Sequence, residues 1–489
     1  MRGLVATLST ASAAVLAAAT LSGIAHAETL TLTGVFTGKD HQTYREVPFK
    51  VPAGTTAVTV EFSYTGKDQK SVIDLGLRDP ERFRGWSGGN KSRFTVTETW
   101  ATPSYLPGPL PAGAWKLILG VPNLRKDGRA EYTAKVTLDH DPAFHGFAAA
   151  PLKTGPGWYR GDLHMHTEHS DGSCASRTGQ RTPCPLFKTL EAATARGLDF
   201  VAVSDHNTSA HFQDLAELQG YYDDLLLIPA REITTFRGHA NVFGVTGPLD
   251  FQLGSPRLPT VARLLEQVEA AHGLISLNHP ALPSGEACMG CGWTWDTDYA
   301  RIPAIEAINA GNSGGPLSGI GFWEQRLNAG FHITAVGGSD NHDAGVDPAR
   351  GGVGVPTTVV HAQNLSQDAI LAAIRAGHVF VDAKGTRDRS LTVTARAAGR
   401  TAEMGDTLGA LAAGDRIELA VHVGKASGGR LVVRGPAGPP EGPRLDNDEA
   451  DAVVTWAFDG RSRWIRVDVV GPDGAPWLLG NPIYLNAAR

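Results

Sequence analysis

Alternating apolar and polar positions dominate both ends of the chain. Between residues 28 and 140, short runs such as ETLTLTGVF and TAVTVEFSY are separated by turn-rich stretches. Strict alternation is typical of strands with one buried face, so it predicts a β-sandwich over 28–140. The pattern returns in SLTVTARA, DRIELAVHV and RWIRVDVVG, and it predicts a second β-sandwich over 386–489.

The central part of the chain, residues 158–385, has a different pattern. Continuously apolar runs such as FVAVS, LLLIPA and LISLN alternate with helix-like stretches such as LFKTLEAATARG and TVARLLEQVEAAHG. Strands that are buried on both faces and followed by helices predict βα units in a parallel barrel or sheet. We interpret the stretch 141–157, rich in Pro and Gly, as the linker to this α/β region.

The beginning of the chain predicts export. Residues 1–27 contain an early Arg, an apolar run and the sequence Ala25-His26-Ala27, which together are typical of a cleaved signal peptide. The run is short and is interrupted by Ser and Thr, which disfavours a membrane anchor. We therefore expect a periplasmic or secreted protein whose mature chain starts near Glu28. With 44 basic and 50 acidic residues, the charge balance gives no reason to expect nucleic-acid binding.

The four cysteines are expected to form disulfides, because the protein is predicted to be exported and disulfides persist outside the cytoplasm. We predict the local pairs Cys174–Cys184 and Cys288–Cys291, although the sequence allows three pairings. The CxxC motif at 288–291 leaves a zinc knuckle as the alternative.

Histidines and carboxylates recur at the ends of the central apolar runs. His164 and His166 are two residues apart, so on an extended strand both imidazoles project from one face. The carboxyl ends of barrel strands converge on one face, where distant residues can meet. Imidazole and carboxylate donors favour Zn, Mn or Fe over Ca, so we expect divalent ions of this kind. The candidate ligands are His164, His166, Asp171, His206, Glu232, His239, His279, Asp340 and His342.

The ordered motifs HxHTxxSDG, DHN, RE, GHANVFG, NHP, IEAIN and GGSDNH resemble the PHP (polymerase and histidinol phosphatase) superfamily. Within it, they look like the CehA/McbA branch, named after carbaryl hydrolases. The resemblance covers roughly residues 158–385 and extends to the ending GNPIYL. It implies a distorted (β/α)7 PHP-type barrel, which the N-terminal and C-terminal β-sandwich domains would flank.

The resemblance also implies two or three divalent ions, at up to three metal positions. It assigns the first to His164, His166, Glu232 and Asp340, the second to Glu232, His239 and His279, and the third to Asp171, His206 and His342. Glu232 would bridge two ions, and it is a candidate catalytic residue together with Asp340. The superfamily often has His where Asp171 stands. Asp205 and Glu306 are expected to orient ligands from behind them.

Other polar groups near these motifs are candidates for contacts with the substrate. We consider His211 and Arg350 as catalytic residues, and Arg231, Asn309 and Asn312 as substrate-binding residues. Trp293 and Trp295, in the loop that contains the CxxC motif, are candidates for the mouth of the site.

The function predicted from these patterns is metal-dependent hydrolysis. A metal-bridging hydroxide would attack a phosphomonoester or phosphodiester of a small molecule. The alternative is a carbamate or carboxylic ester, as the carbaryl-hydrolase branch implies. A non-catalytic binding protein is a third reading, and the complete ligand set argues against it. An amidohydrolase would need a carboxylated Lys, and the corresponding strand end offers Glu232. The substrate, the metal at each position and the oligomeric state stay open.

Overall fold

The computed structural model describes residues 27–286, 288–347, 350–436 and 441–486. The predicted signal peptide over 1–27 lies outside the described residues except for Ala27. Within the described ranges, no helix has the length and apolar character that a membrane crossing requires. Three short 3-10 turns occur at Gly38–Asp40, Lys67–Gln69 and Tyr299–Arg301.

Eight strands form the N-terminal part: β1 (Glu28–Thr37), β2 (Tyr44–Val51), β3 (Ala57–Tyr64), β4 (Val72–Arg78), β5 (Phe83–Gly88), β6 (Arg93–Thr97), β7 (Gly113–Asn123) and β8 (Arg129–Asp139). They make two antiparallel four-stranded sheets, in the orders β1-β8-β3-β6 and β2-β7-β4-β5. One apolar core that includes Phe94 and Trp115 is shared by residues from both sheets. Burial alternates along β8, as the sequence alternation predicts.

The central part contains five α-helices among its described residues: α1 (Leu186–Arg196), α2 (His211–Leu218), α3 (Val261–Ala270), α4 (Ile320–Asn328) and α5 (Gln367–Ala376). Its strands are β9 (Gly157–Asp162), β10 (Ser173–Ala175), β11 (Arg181–Pro183), β12 (Phe200–Val203), β13 (Leu226–Thr235), β14 (Gly238–Phe243), β15 (Leu274–Asn278), β16 (Ala304–Asn309), β17 (Thr334–Gly338), β18 (Thr357–Ala362) and β19 (Val379–Asp382).

Nine of these strands form one row in the order β17-β16-β15-β14-β13-β12-β9-β18-β19. The row curls back on itself, because Thr358 Oγ1 in β18 accepts from Gly337 N at 2.8 Å and donates to Gly337 O at 2.7 Å in β17. The architecture departs from a regular (β/α)7 alternation at β14, which runs antiparallel to both neighbours. Only Phe236 and Arg237 separate β13 from β14, too short a connection for the helical crossover that a parallel pair needs.

The C-terminal part contains ten strands: β20 (Ser390–Ala397), β21 (Arg400–Glu403), β22 (Thr407–Leu408), β23 (Arg416–Gly424), β24 (Arg430–Arg434), β25 (Glu441–Arg444), β26 (Glu449–Ala457), β27 (Trp464–Val470), β28 (Pro476–Gly480) and β29 (Ile483–Leu485). One sheet has the order β21-β20-β23-β26. The strands β28, β27, β24 and β25 instead extend the central row, through antiparallel pairing of β28 with β19. The sheet therefore crosses the boundary predicted near residue 385.

Two disulfides join Cys174 to Cys184 and Cys288 to Cys291. The predicted local pairing is confirmed, and in this state the CxxC sulfurs are bonded to each other rather than arranged as a zinc knuckle.

Candidate metal centre

The HxH pair directly follows β9 and enters the centre of the curled sheet. His164 and His166 are each 1% exposed, and their ring centroids lie 5.1 Å apart. Both face the carboxylate of Asp340, which follows β17, with distances from Nε2 to Oδ1 of 3.3 Å and 3.1 Å. Asp340 has a φ of +50°, so the chain turns sharply at this point. The spacing of the pair thus brings two imidazoles to one carboxylate.

Glu232, in β13, is the fully buried hub of the centre. Its Oε1 lies 3.4 Å from a nitrogen of each of three histidines, namely His164, His239 and His279. Its Oε2 lies 2.7 Å from Nδ1 of His206. The two carboxylate oxygens therefore face two different groups of imidazoles, which is the arrangement of a carboxylate that bridges two ions.

A half-exposed rim borders this buried hub. Asp171 Oδ1 lies 3.3 Å from His342 Nε2 and 3.6 Å from His206 Nε2. The ring of His166 stacks beside both rim histidines, at centroid distances of 4.3 and 4.2 Å. The donor atoms of these four residues all lie within 4.8 Å of one another. The third ligand set that the resemblance implies is thus brought together, with His166 added to it.

The loop that carries Asp171 is held by backbone hydrogen bonds and by a disulfide. Gly172 N donates to Thr167 O at 2.9 Å, and Ser173 N donates to His342 O at 2.7 Å. The Cys174–Cys184 bond closes the segment that begins three residues after Asp171, and Cys184 N donates to Gly172 O at 2.9 Å. Local structure therefore positions the most exposed carboxylate of the centre.

Glu306 lies behind the ligands, as expected. Its Oε1 accepts a hydrogen bond from His164 Nδ1 at 3.0 Å, and its Oε2 accepts one from the His279 backbone N–H at 2.8 Å. Asn309 Nδ2 donates to Glu306 Oε2 at 3.1 Å and to Asp340 Oδ2 at 3.2 Å. The amide of Asn309 is thus engaged between two carboxylates, a supporting position rather than the substrate contact that we predicted.

Two supporting residues were missed by the sequence analysis. Asn278 Nδ2 donates to Glu232 Oε1 at 2.8 Å, and Thr234 Oγ1 lies 2.6 Å from His206 Nδ1. A signal for Thr234 existed, because it is two residues after Glu232 on the same strand and so shares its face. Asn278 ends β15 directly before His279, where a short polar residue is easily taken for part of a turn.

His211 does not reach the centre, and its predicted catalytic role finds no support here. It is fully buried at the start of α2, and its Nε2 donates to Ala230 O at 2.8 Å. Its Nδ1 lies 3.6 Å from Asp205. Asp205 in turn accepts hydrogen bonds from Thr167 N and Oγ1, both at 2.7 Å, and from Ser170 Oγ at 2.6 Å. Asp205 therefore anchors the loop after the HxH pair and contacts no ligand imidazole.

Neither predicted arginine contacts the ligands within the described part of the chain. Arg231 precedes Glu232 on β13 and so points to the opposite face, where its guanidinium donates to Gly247 O at 2.8 Å and covers the Phe212 ring. Arg350 is exposed, and its backbone N–H donates to the carbonyl of a preceding turn. Asn312 donates through its backbone to Asn309 O at 2.9 Å.

The two tryptophans brace the hairpin that carries His239. Trp293 is 5% exposed and belongs to the central apolar core. Trp295 Nε1 donates to Thr235 Oγ1 at 2.8 Å, and Arg237 covers its ring. These residues form a wall against the hairpin that carries His239.

The electrostatics of the buried hub fit cations. Burial would raise the pKa of Glu232, but the surrounding imidazoles hold that pKa well below its usual value. Asp340 behaves in the same way beside His164. Burial would lower the pKa of His164, but three carboxylates raise it well above its usual value. The ionised carboxylates thus retain protons on neighbouring imidazoles, and a divalent ion would displace those protons.

Unpartnered nitrogens give an independent test of this fit. Four buried imidazole nitrogens of the candidate ligands have no hydrogen-bond partner among the described residues: His164 Nε2, His166 Nδ1, His239 Nε2 and His279 Nδ1. Buried polar atoms normally find a partner, so unpartnered nitrogens on four candidate ligands indicate spare capacity to bind a positively charged group. His164 Nε2 faces Glu232 and Asp340, whereas the other three nitrogens are on the ring edges opposite the carboxylates. The donor types fit divalent ions such as Zn, Mn or Fe, and the geometry defines a candidate metal centre.

Comparisons with known proteins add a structural likeness. No protein-family model and no curated protein matches the chain. A solved two-domain protein from Bacteroides vulgatus, containing a predicted PHP-like metal-dependent phosphoesterase, is 16% identical; the match covers 68% of this chain and 96% of that one, with a TM-score of 0.37. A candidate metal-dependent phosphoesterase from Bifidobacterium adolescentis is 17% identical over 44% of this chain and 94% of that one, with a TM-score of 0.29. At these values the likeness says nothing about substrate, and the function has to be inferred from the site.

Proposed function

We propose that this protein is an exported metal-dependent hydrolase of the PHP type that cleaves phosphoesters. The observation that carries the proposal is the position of Glu232, whose two oxygens face two groups of imidazoles from four different segments of the chain. A buried carboxylate in that position would hold two adjacent ions, and paired ions would be suited to hydrolysis.

Divalent ions at this centre would supply positive charge opposite the developing negative charge and an ionised water at neutral pH. The chain's own residues supply the geometry. Glu306 and Asn278 fix the imidazole of His164 and the carboxylate of Glu232 through hydrogen bonds of 3.0 and 2.8 Å. Held in this way, the donors need little rearrangement during the reaction.

The approach of a substrate is restricted to the rim. The HxH pair, Glu232 and His279 are all at most 3% exposed, whereas the side chains of His206, His342 and Asp171 are 26%, 38% and 58% exposed. A scissile group therefore enters past these three side chains. Contact with His342 lowers the pKa of Asp171 to about 2, so this rim carboxylate is ionised and available to a cation at neutral pH.

Carbamate or carboxylic ester hydrolysis is the second candidate. It is favoured by one observation: within the described residues, neither Arg231 nor Arg350, the cations that we predicted near the substrate, contacts a candidate ligand. A neutral ester needs no such cation, and a wall that includes Trp295 would suit it.

The test is an activity comparison on protein of known metal content. The mature chain is loaded with Zn²⁺ or Mn²⁺, analysed for bound metal and assayed with bis(p-nitrophenyl) phosphate, p-nitrophenyl phosphate and a 1-naphthyl carbamate. Phosphate ester turnover that is lost in Glu232→Gln supports the first function. Carbamate turnover alone would transfer the proposal to the second, and metal-free, inactive protein would refute both.

A further inference from the structure

The loop of the second disulfide lies directly against the metal centre. Cys291 is 2% exposed, and its Sγ and one nitrogen each of His239 and His279 lie within 4.8 Å of one another. Gly290, which precedes it, has a φ of +84°, and a Cβ at this position would lie 2.1 Å from Thr235 O and 3.2 Å from His239 Nε2. Only a glycine lets the loop approach the His239 hairpin so closely.

The two histidines beside this sulfur both have spare donor capacity. His239 Nε2 and His279 Nδ1 are buried and lack a hydrogen-bond partner within the described ranges. The residues are 5% and 3% exposed. A sulfur and two imidazoles at these separations form three corners of a tetrahedral metal site, provided that the sulfur is a thiolate.

We propose that reduction of the Cys288–Cys291 disulfide converts Cys291 into a ligand of an ion at His239 Nε2 and His279 Nδ1. These nitrogens are opposite His239 Nδ1 and His279 Nε2, which face Glu232, so this position adjoins the proposed metal centre and the inference rests on that centre. The oxidised protein offers this ion only the two nitrogens, whereas the reduced protein adds sulfur. Because thiolate selects Zn over Mn, the redox state of this loop sets the metal preference of this position.

The two cysteines differ in exposure, and this difference determines which sulfur an external thiol attacks. Cys288 is half-buried, and its neighbour Met289 is 79% exposed. The thiolate of an external dithiol attacks Cys288 Sγ and breaks the S–S bond, and Cys291 Sγ leaves as a thiolate beside the two histidines. The second thiol of the reductant then releases Cys288 as a thiol and closes a cyclic disulfide, which completes a two-electron transfer. Cys291 either takes up a proton or binds the ion in its place.

Cobalt substitution tests the proposal without an activity readout. The oxidised protein and the protein reduced with dithiothreitol, desalted anaerobically, are loaded with Co²⁺, and their absorption spectra are recorded. Cys288→Ser leaves Cys291 as a permanent thiol, and Cys291→Ser removes it. We expect a thiolate-to-cobalt charge-transfer band in the reduced protein and in Cys288→Ser. We expect none in the oxidised protein or in reduced Cys291→Ser.

Two measurements make the result decisive. A reduced Cys174→Ser/Cys184→Ser double variant keeps the band if the band comes from Cys291 rather than from the other pair. Elemental analysis of each sample separates the possible failures. Bound cobalt without the band in both the reduced protein and Cys288→Ser overturns the role of Cys291, as does a band in reduced Cys291→Ser. Absence of bound metal from every form overturns the proposed function as well.

Discussion

Replacement of Glu306 by Gln tests whether the centre depends on a residue that touches no ion. The carboxylate of Glu306 is 2% exposed and accepts hydrogen bonds from the His164 imidazole and the His279 backbone. Gln has the same shape and can keep one acceptor oxygen, so the backbone contact can persist. What is lost is the negative charge 3.0 Å from His164 Nδ1. That charge fixes the tautomer and makes the opposite nitrogen a stronger donor.

The size of the effect can be worked out from this contact. Loss of a carboxylate behind a ligating histidine typically weakens metal binding by about 10- to 100-fold. That range corresponds to about 1.4–2.7 kcal/mol. A hydrogen bond to a charged group contributes about 1.5–3 kcal/mol, so the single bond to His164 accounts for the whole range. We therefore expect Glu306→Gln to bind its tightest ion about 10- to 100-fold more weakly.

The assay is a titration of metal-free protein with Zn²⁺ against a chromogenic chelator. Asp382→Asn is the matched control, because Asp382 is equally buried but pairs with Arg160 at 2.8 Å. This control should lower the melting temperature and leave the metal affinity unchanged. An affinity of Glu306→Gln within twofold of the wild type would refute the reasoning, and so would an equal loss of affinity in the control.

Three further predictions concern the hub, the rim and a buried histidine. Glu232→Gln should abolish turnover and reduce bound metal while the circular dichroism spectrum stays native; near-normal activity would contradict the bridging role. Cys174→Ser/Cys184→Ser should lower the free energy of unfolding by about 2–4 kcal/mol, measured by urea denaturation, and should release one ion from the Asp171 rim. Burial lowers the pKa of His211 below its ordinary 6.5 despite Asp205 beside it. The neutral His211 imidazole therefore supports the folded state above pH 6.5. The free energy of unfolding decreases as the pH falls below 6.5, because the unfolded chain takes up the proton more readily. Urea midpoints at pH 7 and pH 5 should converge in His211→Gln, and an unchanged difference would argue against this cause.

Much of the ligand set could be predicted because each ligand is tied to a strong local pattern. A buried strand is a continuous apolar run, and the polar residue that ends it stands out, as Glu232, His279 and Asp340 do. The rule that barrel strand ends converge then brings distant residues together without any knowledge of contacts. The spacing of the two histidines in the HxH motif likewise places both imidazoles on one face of an extended segment.

Apart from Glu306, the supporting residues could not be predicted, because their roles depend on which face of an element they occupy. Arg231 adjoins Glu232 in sequence, yet strand alternation sends it to the opposite face once β13 is known to continue through it. His211 was interpreted as a catalytic group, but it is buried at the start of α2, and its Nε2 donates to a backbone carbonyl. The nearness of Cys291 to the centre depends on how a long loop folds back, and no periodicity encodes that.

The sheet continuity between the central part and the C-terminal strands has a consequence for how the chain matures. Asn481 Nδ2 donates to Ala335 O and Val379 O, both at 2.9 Å, and β28 covers the outer edge of β19. During synthesis, the central part is therefore complete in sequence about a hundred residues before its sheet is complete in hydrogen bonds. Until the last strands arrive, β19 exposes an open edge that invites pairing with other chains. Any shortened form ending near residue 385 would inherit that open edge permanently.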